Sequence, residues 1–463
     1  MNHIKNFSIS ALAVIFLIVF TIFNPNTSLD LSAFLLISFI ILQKILGEYF
    51  ILVLLAIRPT LDYWRDYNLF SFYNFDFNTN AALSIFLLTW SIIFCVKNYT
   101  YFKNVPLKAP WLIFIIWCFI SAFYTYHIPS TITEGIKLAN LFGLFAICHI
   151  MAQKNPEKFK INFLKSIVAA GTIPILIGVW QFITKTGVDI DEVSNRIYGT
   201  FAHPNVLATF TLVLLIVVAH EIITKQNKSS DFFDLKKDSP LKFLGLFLLF
   251  IIILTYTRIA WIGVALLAAI IGFIYYRKLL AYTLGIIILF YILFYPINNY
   301  LINNYNINLQ SSTLIFRLTA RNQDSDSVRW RTNLATKILP LFREKYIIGY
   351  GYGTFARVWD DNKDIENLWD NTSEAHNDYI KIAFESGIIG LALFLLIFFT
   401  LLYRQFMYGI KNNWKNIVLI ASIFVYLTLS LSDNMLHHTP VIWWFWAIWG
   451  TWEALQHTSL AAK

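Results

Sequence analysis

The chain has 463 residues, of which 57% are hydrophobic, 17% aromatic and only 14% charged, with a formal net charge of +9. That apolar content exceeds what soluble domains carry and excludes an ordinary water-soluble enzyme. The chain reads as an integral membrane protein, with membrane lipids as expected partners and nucleic acid not among them.

A bilayer core takes about 20 apolar residues per helix. Runs of this kind stand at 7–23, 31–46, 81–97, 110–127, 134–152, 161–183, 203–224, 241–257, 258–276, 279–296, 386–407, 416–432 and 440–456, with a shorter one at 47–57. Roughly 12 to 14 helices follow, the short run being either re-entrant or continuous with its neighbour. The expected class is therefore all-α, a polytopic helical bundle in three parts. Residues 1–297 form an amino-terminal transmembrane bundle, 298–385 one large extracytoplasmic loop with interfacial helices, and 386–463 the last transmembrane helices. The first run follows Lys5 as a signal segment would, but no small-residue cleavage pattern closes it, so it reads as a retained helix. Cys95, Cys118 and Cys148 all fall within spans and read as packing thiols.

Placing the amino terminus inside puts Lys97, Lys103, Lys108, Lys154, Lys158, Lys160, Lys225, Lys228, Lys236, Lys237, Arg277, Lys278, Arg404, Lys411 and Lys415 in cytoplasmic loops, as the positive-inside rule requires. The large loop then lies outside the cytoplasmic membrane. The same assignment separates lysine from arginine: Arg58, Arg65, Arg196, Arg258, Arg317, Arg321, Arg329, Arg331, Arg343 and Arg357 all fall outside. Arginine's planar fork binds phosphate oxygens in bidentate fashion, so this face suits an anionic, phosphorylated ligand. The alternative is pairing with the loop's own Asp324, Asp326, Asp360, Asp361 and Glu366, or with lipid headgroups.

Two arginines stand apart from the large loop. Arg258 lies between two spans with almost no polar loop, where a charge is costly unless it has a partner or a use, snorkelling being the alternative. Arg196 opens the segment Arg196-Ile197-Tyr198-Gly199-Thr200-Phe201-Ala202-His203-Pro204-Asn205, where Pro204 suits a helix start and Gly199 with its neighbouring amides is placed to approach an anion.

The loop ends in His376-Asn377. Asn371-Thr372-Ser373-Glu374 has the form of an N-cap box, which predicts a helix to about Ser386 with His376 in its first turn. On it His376, Tyr379, Ile380, Ala383 and Phe384 share a face, while Asp378, Lys381 and Glu385 point elsewhere. Such a helix would lie along the membrane interface before Gly387 and Gly390 turn the chain into the next span. A first-turn position favours neutral imidazole, which suits a general base. His437-His438 beside Asp433 is the one weak candidate for a metal site. Arginine can supply the positive charge that a divalent ion brings to phosphate chemistry, so no metal or other cofactor is expected.

His376-Asn377, nine residues, then Gly387-Ile388-Ile389-Gly390 resembles the histidine motif of the O-antigen ligase and polymerase family of bacterial membrane enzymes. Arg196 through Asn205, Thr257-Arg258 and Gly349-Tyr350-Gly351-Tyr352-Gly353-Thr354-Phe355 carry the same resemblance. The family pattern of arginine, three residues and leucine stands here as Arg258 to Ile262, which leaves ligase and polymerase undivided. The resemblance implies a fold similar to type C glycosyltransferases and a metal-independent, inverting transfer of a glycan from undecaprenyl diphosphate. The acceptor would be lipid A core for a ligase or another lipid-linked glycan for a polymerase, at the outer face of the cytoplasmic (inner) membrane. Carried over, His376 is the base on the acceptor hydroxyl, Arg258 and Arg196 hold the diphosphate, and Arg329 or Arg331 adds contacts. A flippase for the same lipid-linked sugars is the rival of another class.

Overall fold

The computed structural model describes residues 41–64, 68–72, 75–190, 193–225, 239–305, 327–362 and 374–461. The run expected at 7–23 and most of that at 31–46 lie outside the described residues. In chain order the helices are α1 (Phe50–Leu61), α2 (Thr79–Lys97), α3 (Tyr99–Phe102), α4 (Lys108–Ile120), α5 (Ile128–Lys154), α6 (Pro156–Thr184), α7 (Pro204–Lys225) and α8 (Ser239–Leu254). They continue as α9 (Arg258–Tyr275), α10 (Arg277–Tyr305), α11 (Ser327–Glu344), α12 (Phe355–Asn362), α13 (Asp378–Lys411), α14 (Ile417–Leu429) and α15 (Thr439–Ala461). Two short antiparallel hairpins, Asn68–Phe72 with Phe75–Asn78 and Val188–Ile190 with Val193–Arg196, and four single 3-10 turns, at Gly47–Tyr49, Asp62–Trp64, Ser121–Phe123 and Met435–His437, accompany these helices among the described residues.

The protein is an all-α polytopic membrane protein. Among the described residues six helices, α2, α5, α6, α7, α9 and α13, are long and apolar enough to cross a membrane, and α4, α8 and α14 are shorter apolar helices. Helix α10 continues past the expected loop boundary at residue 298, to Tyr305.

Helices α5 and α15 form the centre of the bundle. Gly450 brings α15 against the main chain of α5 at Phe145, the close approach that small residues permit between membrane helices. Around this contact Trp443, Trp444, Trp446 and Trp449 are buried. The Trp444 indole N–H donates to Leu55 O at 3.1 Å, tying α1 to the same centre.

The alternation of helix directions gives the bundle two unlike ends. At one, Lys154 pairs with Glu48 at 2.7 Å and Lys160 with Glu221 at 3.1 Å. At the other lie the amino ends of α5, α7, α9, α13 and α15 and the carboxyl ends of α6, α8 and α14. This second end carries Arg58, Arg196, Arg258 and His376, together with Lys137 and Lys381.

Over the arginine end, α11, α12 and the first half of α13 enclose a small second core of Leu334, Ile338, Tyr350, Phe355, Val358, Trp359, Ala375 and Phe384. The first half of α13 is therefore covered on both sides. Ile380 and Phe384 pack under the loop helices, while Asp378, Lys381 and Glu385, expected to point away, are buried against the bundle.

Gly387 (φ 68°, ψ −175°) breaks α13 into 378–386 and 388–411. The glycine-rich segment before α12 lies beside this break. Tyr350 N donates to Phe384 O at 3.1 Å, Gly351 N to Glu385 O at 2.8 Å and Ile388 N to Tyr346 O at 2.8 Å. Gly349 and Gly387 both have left-handed φ and face main chain across this contact, Gly349 at Glu385 and Gly387 at Ile347. A side chain at either position would meet backbone, so the two glycine motifs are halves of one joint.

Candidate active site

His376 occupies a left-handed turn (φ 47°) one residue before the cap of α13. The cap is Asn377, whose side-chain oxygen accepts from Ile380 N at 3.0 Å, so the helix starts at Asp378 and His376 precedes its first turn. The helix therefore begins later than the expected box, and the Glu374 carboxylate accepts from Asn434 Nδ2 at 2.5 Å and faces Lys381 Nζ at 3.4 Å. Asn371, Thr372 and Ser373 lie outside the described residues.

His376 Nδ1 faces Asp433 Oδ1 at 3.8 Å, with the imidazole 31% exposed and the carboxylate 6% exposed. The same oxygen lies 3.5 Å from His438 Nε2. Burial alone would raise the Asp433 carboxyl, but the His438 charge and bonds from His376 and His438 hold it well below the usual carboxylate range. Reciprocally, Asp433 raises His438 against the opposing effect of burial. Asp433 is thus a buried anion directed at a partly exposed imidazole, close enough to bias the orientation of the ring.

From Asp433 a line of hydrogen bonds crosses to the arginine turns. Asn205 Nδ2, at the start of α7, donates to Asp433 Oδ2 at 3.2 Å. Asn205 Oδ1 accepts from Arg196 Nη2 and from Thr257 Oγ1, both at 3.3 Å. Arg196, 2% exposed, also donates through Nε to Thr255 O at 2.9 Å. Its guanidinium therefore braces the Thr255–Thr257 turn from within. The amides of Tyr198 and Gly199, expected to approach an anion, both donate to Gln181 Oε1, at 2.9 and 2.8 Å.

Arg258 is the first residue of α9, immediately after Thr257, and is partly exposed. A helix amino end bearing a cationic side chain is a natural anion site. Arg329 and Arg331 belong to the start of α11, and their side chains lie outside the described residues.

Behind His376 is a second group that sequence reasoning missed. The Lys381 ammonium bonds His437 Nε2 and lies 4.0 Å from Glu385, while His437 Nδ1 lies 3.2 Å from Glu374 Oε1. Burial and the Lys381 charge push His437 down to about 4, so the ring is neutral. Accepting from lysine at Nε2, it carries its proton on Nδ1, toward Glu374. At Glu374 burial raises the carboxyl and Glu134 adds to that, but Lys381, with His437, outweighs them and holds it below its usual value. A cavity of about 20 Å³, room for roughly one water, lies among Glu134, Lys381, Glu385 and His437.

His437 and His438 turn to different partners, and among the described residues no group of three or more metal-ligating side chains converges. The sequence signal for Asp433 and its neighbours was Ser432-Asp433-Asn434-Met435-Leu436-His437-His438, a dense polar loop between two strongly apolar runs. Asn205 and Glu374 had no comparable signal, because ordinary capping and loop roles account for them.

Residues 243–395 match the family model described as O-antigen ligase. Over 382 residues the chain is 25% identical to a Rickettsia typhi protein described as a candidate polysaccharide ligase, covering 79% of each chain. The family resemblance is thus shown over the stretch holding Arg258, the glycine-rich segment, His376 and Gly387. Arg196, Asn205, Asp433 and Asn434 lie outside the matched residues and reach the site through folding.

Proposed function

We propose that this chain, with its O-antigen ligase region at residues 243–395, transfers an oligo- or polysaccharide from undecaprenyl diphosphate to a sugar hydroxyl at the outer face of the bacterial cytoplasmic membrane. The observation that carries the reading is the line His376, Asp433, Asn205, Arg196 and Thr257. It connects His376 to the turn that precedes Arg258 at the arginine end of the bundle.

With Asp433 at Nδ1, the Nε2 atom of His376 takes the proton from the acceptor hydroxyl. The hydroxyl oxygen attacks the anomeric carbon from the face opposite the diphosphate, and the bond from that carbon to the diphosphate oxygen breaks. The product is a new glycosidic bond with inverted configuration, and undecaprenyl diphosphate leaves with the electron pair. Arg258 and the amino end of α9 meet the growing negative charge on that leaving group, while Arg196 keeps their turn in place. Positive charge from arginine does the work a divalent ion does elsewhere, so transfer proceeds unchanged in chelator. General-base help of this kind is typically worth about 10²- to 10⁴-fold.

Both the family description and the name of the relative favour a ligase over a polymerase. The test is transfer by the purified full-length protein in vesicles, with a lipid-linked donor and with lipid A core and a lipid-linked repeat offered as competing acceptors. Glycan appearing on lipid A core is the expected product. Chain growth on the lipid-linked repeat would make the enzyme a polymerase, and donor translocation with no new glycosidic bond would make it a flippase.

A further inference from the structure

We propose that Asn434 is the positioning residue that holds His376 in its working orientation, an inference that rests on the reading of His376 as the base. His376 sits in a left-handed conformation that residues with a side chain seldom adopt (φ 47°), so the segments on either side of it must be held from outside.

Asn434 contacts both segments. Its Oδ1 accepts from Asn377 N, immediately after the histidine, at 3.0 Å, and its Nδ2 donates to Glu374 Oε2, two residues before it, at 2.5 Å. Its own amide N–H donates to Asp433 Oδ1 at 2.9 Å, the oxygen that faces His376. The side chain is buried with the residue 3% exposed. One residue therefore joins the turn that bears the base to the carboxylate that orients it.

Neither arm ends loosely. Glu374 is anchored by Lys381 at 3.4 Å and His437 Nδ1 at 3.2 Å, and Asn377 caps α13 while its Nδ2 holds Leu431 O at 2.9 Å. The amide group suits this place because it needs one acceptor and one donor on opposite sides. A carboxylate would set two anions together at Glu374, and a hydroxyl is too short to span both segments. The Lys381, His437 and Glu374 cluster is then the abutment of the clamp.

Turnover and donor KM are measured for Asn434→Ala, Asn434→Asp and His376→Ala in vesicles, each with its thermal unfolding profile. Asn434→Asp keeps the side-chain shape and the acceptor arm, so the test stays readable if the alanine variant does not fold. Both Asn434 variants are expected to lose at least tenfold in kcat with donor KM within about twofold of wild type. Added imidazole is expected to restore part of the His376→Ala activity and none of the Asn434 loss, since in those variants a misplaced ring still fills the site. Wild-type kcat in either Asn434 variant, or a loss accounted for by KM, overturns the clamp. Wild-type transfer by His376→Ala instead overturns the base itself.

Discussion

Asp433 Oδ1 lies 3.8 Å from His376 Nδ1 and 3.5 Å from His438 Nε2, so one buried carboxylate serves two imidazoles. Asp433→Asn keeps the shape and removes the negative charge directed at His376. Transfer should fall by at least about tenfold, equivalent to about 1.4 kcal/mol on the barrier. The sister substitution His438→Gln leaves the carboxylate facing His376 and should retain more activity. Initial rates of glycan transfer for the two variants, compared in one preparation, check the order; equal activity of Asp433→Asn and wild type removes Asp433 from the mechanism.

Arg196 and Arg258 were alike as sequence candidates and differ in their settings. Arg196 is buried with Nε on Thr255 O and Nη2 on Asn205 and Thr257, so Arg196→Gln should unfold earlier. Each buried partner left unsatisfied costs roughly 1–3 kcal/mol. Arg258, partly exposed at the start of α9, should differ: Arg258→Gln loses affinity or turnover for the diphosphate donor, with a smaller shift in melting profile than Arg196→Gln. Arg258→Lys, which keeps charge but not the bidentate fork, should recover only part. Thermal unfolding in detergent beside donor titration separates the pair, and a melting profile for Arg196→Gln as firm as wild type would contradict the bracing role.

Hydropathy made the membrane class legible because apolar runs long enough to span leave little alternative. The break at Gly387 was legible too, since a glycine doublet ends an amphipathic stretch. What local pattern could not show was the direction of the polar face of 378–386. A helix covered on both sides buries Asp378, Lys381 and Glu385, whereas the amphipathic rule assumes water or headgroups there. The same limit hid Asn434, whose three bonds go to residues 377, 374 and 433, two of them more than 50 positions away. The capping box at 371–374 falls mostly outside the described residues, and Glu374 is held by Lys381, seven positions later, and by His437 from another loop.

Gly387 and Gly285 give a matched pair for the glycine joint. Gly387 has φ 68° and ψ −175° and faces the Ile347 carbonyl, a conformation costing a side-chain-bearing residue roughly 1–3 kcal/mol before any collision. Gly387→Ala should therefore separate the glycine-rich segment from α13 and reduce the yield of folded, active protein. Gly285, within α10, has open space where its Cβ would stand, so Gly285→Ala should be neutral or stabilising by roughly 0.5–1 kcal/mol. Size-exclusion profiles after a temperature ramp read both, and a Gly387→Ala protein as heat-resistant as wild type would contradict the joint.

The neutral His437 predicts a pH dependence on the acid side. Burial first, then the Lys381 charge, lowers its pKa from about 6.5 to about 4, with Glu374 and Glu134 opposing and Lys137 assisting. A group whose folded-state pKa is depressed takes up protons more readily when unfolded, so between these values stability rises with pH. The contribution is complete above about 6.5, is lost as pH falls toward about 4 and is constant below that. Protonation would place a cation against Lys381 and end the acceptor role of Nε2, loosening Glu374 and the segment before His376. From pH 7 to pH 4 the wild type should therefore lose thermal stability relative to His437→Gln, which keeps a neutral acceptor. Identical slopes for the two proteins would place the acid sensitivity elsewhere.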